Sequence, residues 1–156
     1  MLERCKTAQE RWGGVHDIID RWLKQRQHLI ETWVELRDLE EYTQMDTPKI
    51  QHLCELLVDY VSVGHFNVYE QLALEAQEFK DDSALKLLNE LMPEIDESTE
   101  VALEFNDKYD TQKHVSAQLE ALPCSMKTLA VVMAERFQLE DRLIEELHEA
   151  HSEKSA

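Results

Sequence analysis

Apolar residues recur along this chain at steps of three, four and seven, the spacing of one helical face. Val15, Ile19, Trp22, Leu29, Ile30 and Trp33 predict a helix over about 15–38. Leu53, Leu56, Leu57, Tyr60, Val63, Gly64 and Leu74 predict a second over about 48–79. Leu87, Leu91, Ile95, Ala102, Phe105 and Tyr109 give a third, about 84–109, and Leu129, Met133, Phe137, Leu143, Ile144 and Leu147 a fourth, about 123–150. Residues 2–12 form a short helix of their own, because Gly13-Gly14 costs a helix roughly 2 kcal/mol relative to alanine and marks a hinge. Asp46-Thr47-Pro48 opens the second helix, with an oxygen-bearing cap and a proline in the first turn. Lys80-Asp81-Asp82-Ser83 is the next loop, Pro93 predicts a kink in the third helix or a junction of two, and 110–122 is a polar connection with at most a turn of helix. Four amphipathic stripes bury most simply against one another. The expected fold is all-α: one domain over 1–156, an antiparallel four-helix bundle with a short extra N-terminal helix.

Some polar residues fall where the core should be. At about 100° per residue, Arg26 lies mid-stripe in the first long helix and Glu140 mid-stripe in the last. Asn67 is central in the second and Ser98 in the third. A buried charge without a partner costs several kcal/mol, so Arg26 and Glu140 are expected to pair inside the bundle. These four make a structural polar core.

The second helix carries another stripe. Asp59, Ser62, Phe66 and Tyr69 follow steps of three and four away from the core face, flanked by Val58 and His65. Aromatics on a face that should be solvated suit a contact surface, since they are enriched at interface hot spots. Nearby carboxylates would favour a basic, partly apolar partner, such as a DNA-reading helix.

Composition narrows the function. The 156 residues hold 33 acidic side chains against 16 Lys and Arg, a net charge of −17, so a broad basic face for nucleic acid is excluded. Three Gly and three Pro argue against a Gly-rich phosphate loop and an all-β fold. A hydrophobic fraction of 43% suffices for a core. No apolar run approaches the roughly 20 residues that span a bilayer, and MLERCKTAQERW lacks the apolar stretch of a signal peptide, so a cytoplasmic chain is expected. Cys5, Cys54 and Cys124 are isolated thiols with no C-x-x-C among them. For metal there is one Glu-x-x-His, Glu145 to His148, followed by His151, and a His16–Asp20 pair. None of the seven His sits mid-stripe, and no nucleophile motif is visible. A binding protein without catalysis, metal or cofactor is the expectation; a metal-binding or redox-sensing bundle is the alternative. The uncovered stripe could pair with itself, so a monomer or a weak dimer is expected, with the charge opposing association only at low salt.

The motifs also resemble a known family. AQERWGG followed by Ile-Ile-Asp-Arg-Trp-Leu (18–23), Leu56-Leu57-Val58-Asp59-Tyr60-Val61-Ser62 running into Gly64-His65-Phe66-Asn67-Val68-Tyr69-Glu70, and Glu135-Arg136-Phe137-Gln138-Leu139-Glu140-Asp141-Arg142-Leu143-Ile144 are similar to the Rsd/AlgQ family of bacterial transcription regulators. The likeness is greatest to its AlgQ branch. The resemblance implies a helical bundle that binds the primary sigma factor of RNA polymerase through the C-terminal, helix-turn-helix domain that reads the −35 promoter element. It also implies competition with core polymerase and promoter DNA, the action of an anti-sigma factor, and no metal or cofactor. Carried onto this chain, it puts Asp59 first among the sigma contacts, with Tyr60, Ser62, His65, Phe66 and Tyr69 in the same block. Tyr60 also lies on the core stripe. Asp20, Arg21 and Trp22 match the family's first-helix motif, as sigma contacts or as supports of the fold.

Overall fold

The computed structural model describes the backbone of residues 2–155 and the side chains of residues 17–147. Among these the chain is helical, with no strand. Helix α1 spans Leu2–Arg37, α2 Thr47–Val63, α3 Tyr69–Glu78, α4 Asp82–Tyr109, α5 Gln112–Gln118 and α6 Leu122–Ser155. A π turn, Gly64–Val68, joins α2 to α3 into one rod. The four rods close a ring: α1 packs on α2 and α6, and α4 packs on α2–α3 and α6. Trp33 donates its indole N–H to the Met126 carbonyl (3.2 Å), whereas Arg26, earlier in α1, meets Glu140 and Asp141 of α6, so these two helices run antiparallel.

Two helix breaks drawn from the sequence do not occur, a separate N-terminal helix and a junction of two helices at Pro93. No short separate N-terminal helix exists, because α1 runs unbroken through Gly13-Gly14. Glycine lowers helix propensity but does not forbid the right-handed backbone. Helix α4 likewise continues through Pro93 as one element. The connection at 110–122 holds more order than expected, with α5 capped by Thr111 Oγ1 accepting from the His114 N–H (3.1 Å) and Val115 fully buried.

Local chemistry sets the remaining boundaries. Asp46 does not cap α2 with its side chain. Its carboxylate reaches back to accept from the Thr43 N–H (2.9 Å), closing a capping box around the 3-10 turn Gln44–Asp46. Asp81 caps α4 by accepting from the Ala84 N–H (3.1 Å). Before it, Lys80 takes a left-handed backbone (φ 54°) while the Asp81 N–H bonds the Ala76 carbonyl (2.7 Å), a Schellman-type end to α3 with lysine where glycine is usual.

The apolar core runs the length of the ring. Trp22, Ile50, Leu53, Leu57, Tyr60, Ile95, Tyr109, Leu122 and Leu143 are buried from all four rods. Each buried aliphatic side chain contributes about 1.5–3 kcal/mol relative to exposure. Trp22 stacks on Tyr60 (centroids 5.0 Å, planes 6° apart) and meets Tyr69 edge-on at 5.8 Å. Among the described residues no helix is long and apolar enough to cross a membrane.

Candidate functional site

The π turn decides which residues of the second rod face out. A regular helix continuing from Leu57, Tyr60 and Gly64 would next bury Asn67 and Gln71. The π turn carries one residue more than an α-helical turn, so the face that follows is delayed by one position. Val68, Tyr69, Leu72 and Ala76 therefore fill the core, and Asn67 is exposed. Two expectations change as a result. Asn67 is not a core polar residue, and Tyr69 is not on the outer stripe, since it is 4% exposed. Tyr60 is fully buried as well, so of its two expected roles only the structural one agrees with its position.

Gly64 makes this rearrangement possible. A Cβ there would stand 3.3 Å from a Trp22 ring carbon and 3.3 Å from the Tyr69 hydroxyl, tighter than ordinary van der Waals contact. The missing side chain lets α1 and the start of α3 crowd against the turn.

Behind the turn lies a buried polar network centred on Glu140, which is 1% exposed. Its carboxylate takes a tyrosine on each oxygen. Tyr60 donates to Oε1 (2.5 Å) and accepts from Arg26 Nε (3.1 Å). Tyr69 donates to Oε2 and accepts from Arg136 Nη2 (3.2 Å). Both guanidiniums also approach the carboxylate directly, Arg26 Nη2 at 3.5 Å and Arg136 Nε at 3.4 Å. Arg26 extends to Asp141 Oδ1 at 2.6 Å and lies over the Phe137 ring, 4.8 Å from its centroid. Burial pushes the Glu140 carboxyl up from its usual range, and the two guanidiniums and two phenols oppose that. Burial also raises both tyrosines, with the Glu140 charge adding to the shift, so they stay protonated and act as donors.

Arg136 is the residue that stripe reasoning passed over. It is fully buried, and its Nη1 reaches Ser98 Oγ (3.1 Å) and Thr99 Oγ1 (2.7 Å). Its signal was present: it lies three residues after Met133 and four before Glu140, on the same face of α6. Ser98 is buried as expected and donates to the Ile95 carbonyl (2.6 Å).

The outer face presents a different set. Asp59, Phe66 and Glu70 are exposed, and Ser62 and His65 are half-buried. Phe66 is 73% exposed, and Leu74 continues the line at 50%. Asp59, Ser62, His65 and Phe66 thus share one outward surface, whereas Tyr60 and Tyr69 belong to the interior. His65 bridges the two regions: its Nε2 lies 2.8 Å from Thr99 Oγ1, its ring stands edge-on to Tyr69 at 5.3 Å, and Asp96 Oδ1 is 4.0 Å away. Burial, aided by the Arg136 charge, lowers its pKa and favours the neutral ring. In the first-helix motif Trp22 is wholly buried, donating to the Tyr60 carbonyl (3.2 Å), while Asp20 and Arg21 are exposed.

Among the described residues no group of three or more His, Cys, Asp or Glu side chains could hold a metal ion. His16, His148, His151 and Cys5 lie outside the described side chains. Burial pushes the Cys54 thiol up to about 12, so it is protonated at neutral pH, and Cys124 is exposed.

Comparison with known proteins fits this layout to a lineage. The family model described as "Regulator of RNA polymerase sigma(70) subunit, Rsd/AlgQ" matches residues 1–148. The chain belongs to the Rsd/AlgQ family. Relatives named "Regulator of sigma D" include one from Yersinia pseudotuberculosis, 26% identical over 93% of this chain and 88% of its own length. Another, from Yersinia enterocolitica, is 25% identical over 93% and 89%. A third, from Enterobacter sp., is 28% identical over 92% and 88%. Membership makes this Rsd/AlgQ bundle a sigma-binding, anti-sigma regulator of transcription.

Proposed function

We propose that this chain binds the C-terminal, −35-reading domain of the primary sigma factor through the outer face of α2 and the π turn, and thereby keeps that domain from promoter DNA and from core polymerase. The supporting observation is the exposed aromatic Phe66 on a rod whose Asp59 and Glu70 are exposed as well. An exposed apolar anchor with carboxylates before and after it along the rod complements a helix-turn-helix surface that is basic where it meets phosphate and apolar where it packs. Two members of the recognised block, Tyr60 and Tyr69, support this surface from inside, while Asp59, Ser62, His65 and Phe66 make the contact.

The net charge of −17 acts at longer range. It accelerates encounter with a positively charged domain, and salt screens it over about 10 Å at 0.1 M. No metal, cofactor or chemical step enters this reading, and the protein works as a monomer or weak dimer in the cytoplasm beside its polymerase. The test is co-purification with sigma fragments, domain by domain, at two salt concentrations. Capture by the C-terminal fragment alone, with association slowing as salt rises, is the expected outcome. Capture by another fragment would remove the domain assignment.

A further inference from the structure

Both ends of the π turn are tied to one buried guanidinium. At the C-terminal end, Arg136 Nη2 donates to the Tyr69 hydroxyl (3.2 Å). Near the N-terminal end, Arg136 Nη1 donates to Thr99 Oγ1 (2.7 Å), which in turn lies 2.8 Å from His65 Nε2. Between those two points the chain exposes Phe66 and Asn67. The Tyr69 N–H closes the turn on the Gly64 carbonyl. The guanidinium is wholly buried, is neutralised by Glu140 on its Nε side, and is held by Ser98 on the other.

We propose that Arg136 is a positioning residue for sigma docking: from inside the bundle it grips the π turn at His65, through Thr99, and at Tyr69, and so presents Phe66 in a fixed outward pose. The inference rests on the docking reading above. The physical reason is entropic. A π turn is an irregular helical segment that neighbouring contacts must hold, and an anchor residue fixed before binding loses less freedom on binding. Arginine suits this place because its planar fork donates in several directions at once; a lysine ammonium keeps the charge opposite Glu140 but cannot span Tyr69 and Thr99 together.

Two variants test it on the full chain with full-length primary sigma. Arg136→Lys keeps the charge, and Thr99→Val preserves shape while removing the hydroxyl that links Arg136 to His65, together with its own bond to the Ile95 carbonyl (3.1 Å). Both are measured at a temperature where unfolding curves show them folded. Faster hydrogen exchange at the Tyr69 amide in Arg136→Lys, with sigma affinity about tenfold weaker in that variant, is expected, because tenfold corresponds to roughly one lost charged hydrogen bond. Thr99→Val is expected to lose affinity by a smaller factor and to change the His65 ring resonances. A purely structural Arg136 would lower the melting temperature and leave the folded protein's affinity intact. If both variants bind within about twofold of the parent while Phe66→Ala loses about tenfold, the positioning role is overturned and the docking face stands. Affinity lost with the Tyr69 amide unchanged also overturns it. If Phe66→Ala and Asp59→Ala bind like the parent, the docking face itself fails, and the positioning role falls with it.

Discussion

Glu140 and Asp59 are both carboxylates in the middle of long helices, and they sit in opposite surroundings. Glu140 has two phenol donors and two guanidiniums around it and almost no contact with water. Asp59 is exposed on the outer face of α2. A carboxylate buried among donors fixes the geometry of its neighbours, and its removal strands the charges that face it. A carboxylate in water contributes little to stability and is available to a partner. The comparison teaches that one sequence block, from Asp59 to Tyr69, serves both purposes by alternating sides. Its phenols hold the bundle together, and its acid and its phenylalanine face out.

The largest effect expected is Glu140→Ala. It leaves Arg26 and Arg136 facing each other without their shared counter-charge, which should cost about 3–5 kcal/mol in urea unfolding. A loss under about 1 kcal/mol would show that the network relaxes easily and would erase the contrast with Asp59. Next, Asp59→Ala should weaken sigma binding by about 1–3 kcal/mol while stability stays within about 0.5 kcal/mol. Titration calorimetry and unfolding curves on the same preparation separate the two numbers. Tyr60→Phe should cost about 1–2 kcal/mol of stability, because the ring still stacks on Trp22 while Glu140 and Arg26 lose their shared hydroxyl.

The smallest effect concerns His65. Its pKa in the folded chain lies below the usual value, so the unfolded chain takes up the proton first as pH falls. The contribution is fully present above the unfolded pKa, about 6.5, and is lost as pH drops through the lower folded one. In His65→Gln the acid limb of the stability profile should flatten below about pH 6.5, with no change above it. An identical limb would place the titration elsewhere.

Much of this was legible in the helical wheel. Arg26, Ser98 and Glu140 were located by stripe position, because three of the four rods are regular helices where 100° per residue holds. The second rod is not regular, and the wheel fails where the π turn begins: it puts Asn67 inside and Tyr69 outside. No local signal in the sequence announces a π turn, although Gly64 followed by Val68-Tyr69 fits it once the core is known. Gly13-Gly14 misled in the other direction, since propensity is a weak prior within a helix of 36 residues. Arg136 could have been found with the wheel that found Glu140. The identity of the partner was never in the spacing; it came from family likeness alone.

The most direct test of the central claim is to map amide and side-chain chemical shifts of this chain as the C-terminal sigma domain is added. The account predicts that changes concentrate at Asp59, Ser62, His65 and Phe66, with Glu70 and Leu74 following. Changes concentrated instead along the α1–α6 seam, where Leu29, Trp33, Met133 and Phe137 line an apolar gap of about 300 Å³, would contradict it.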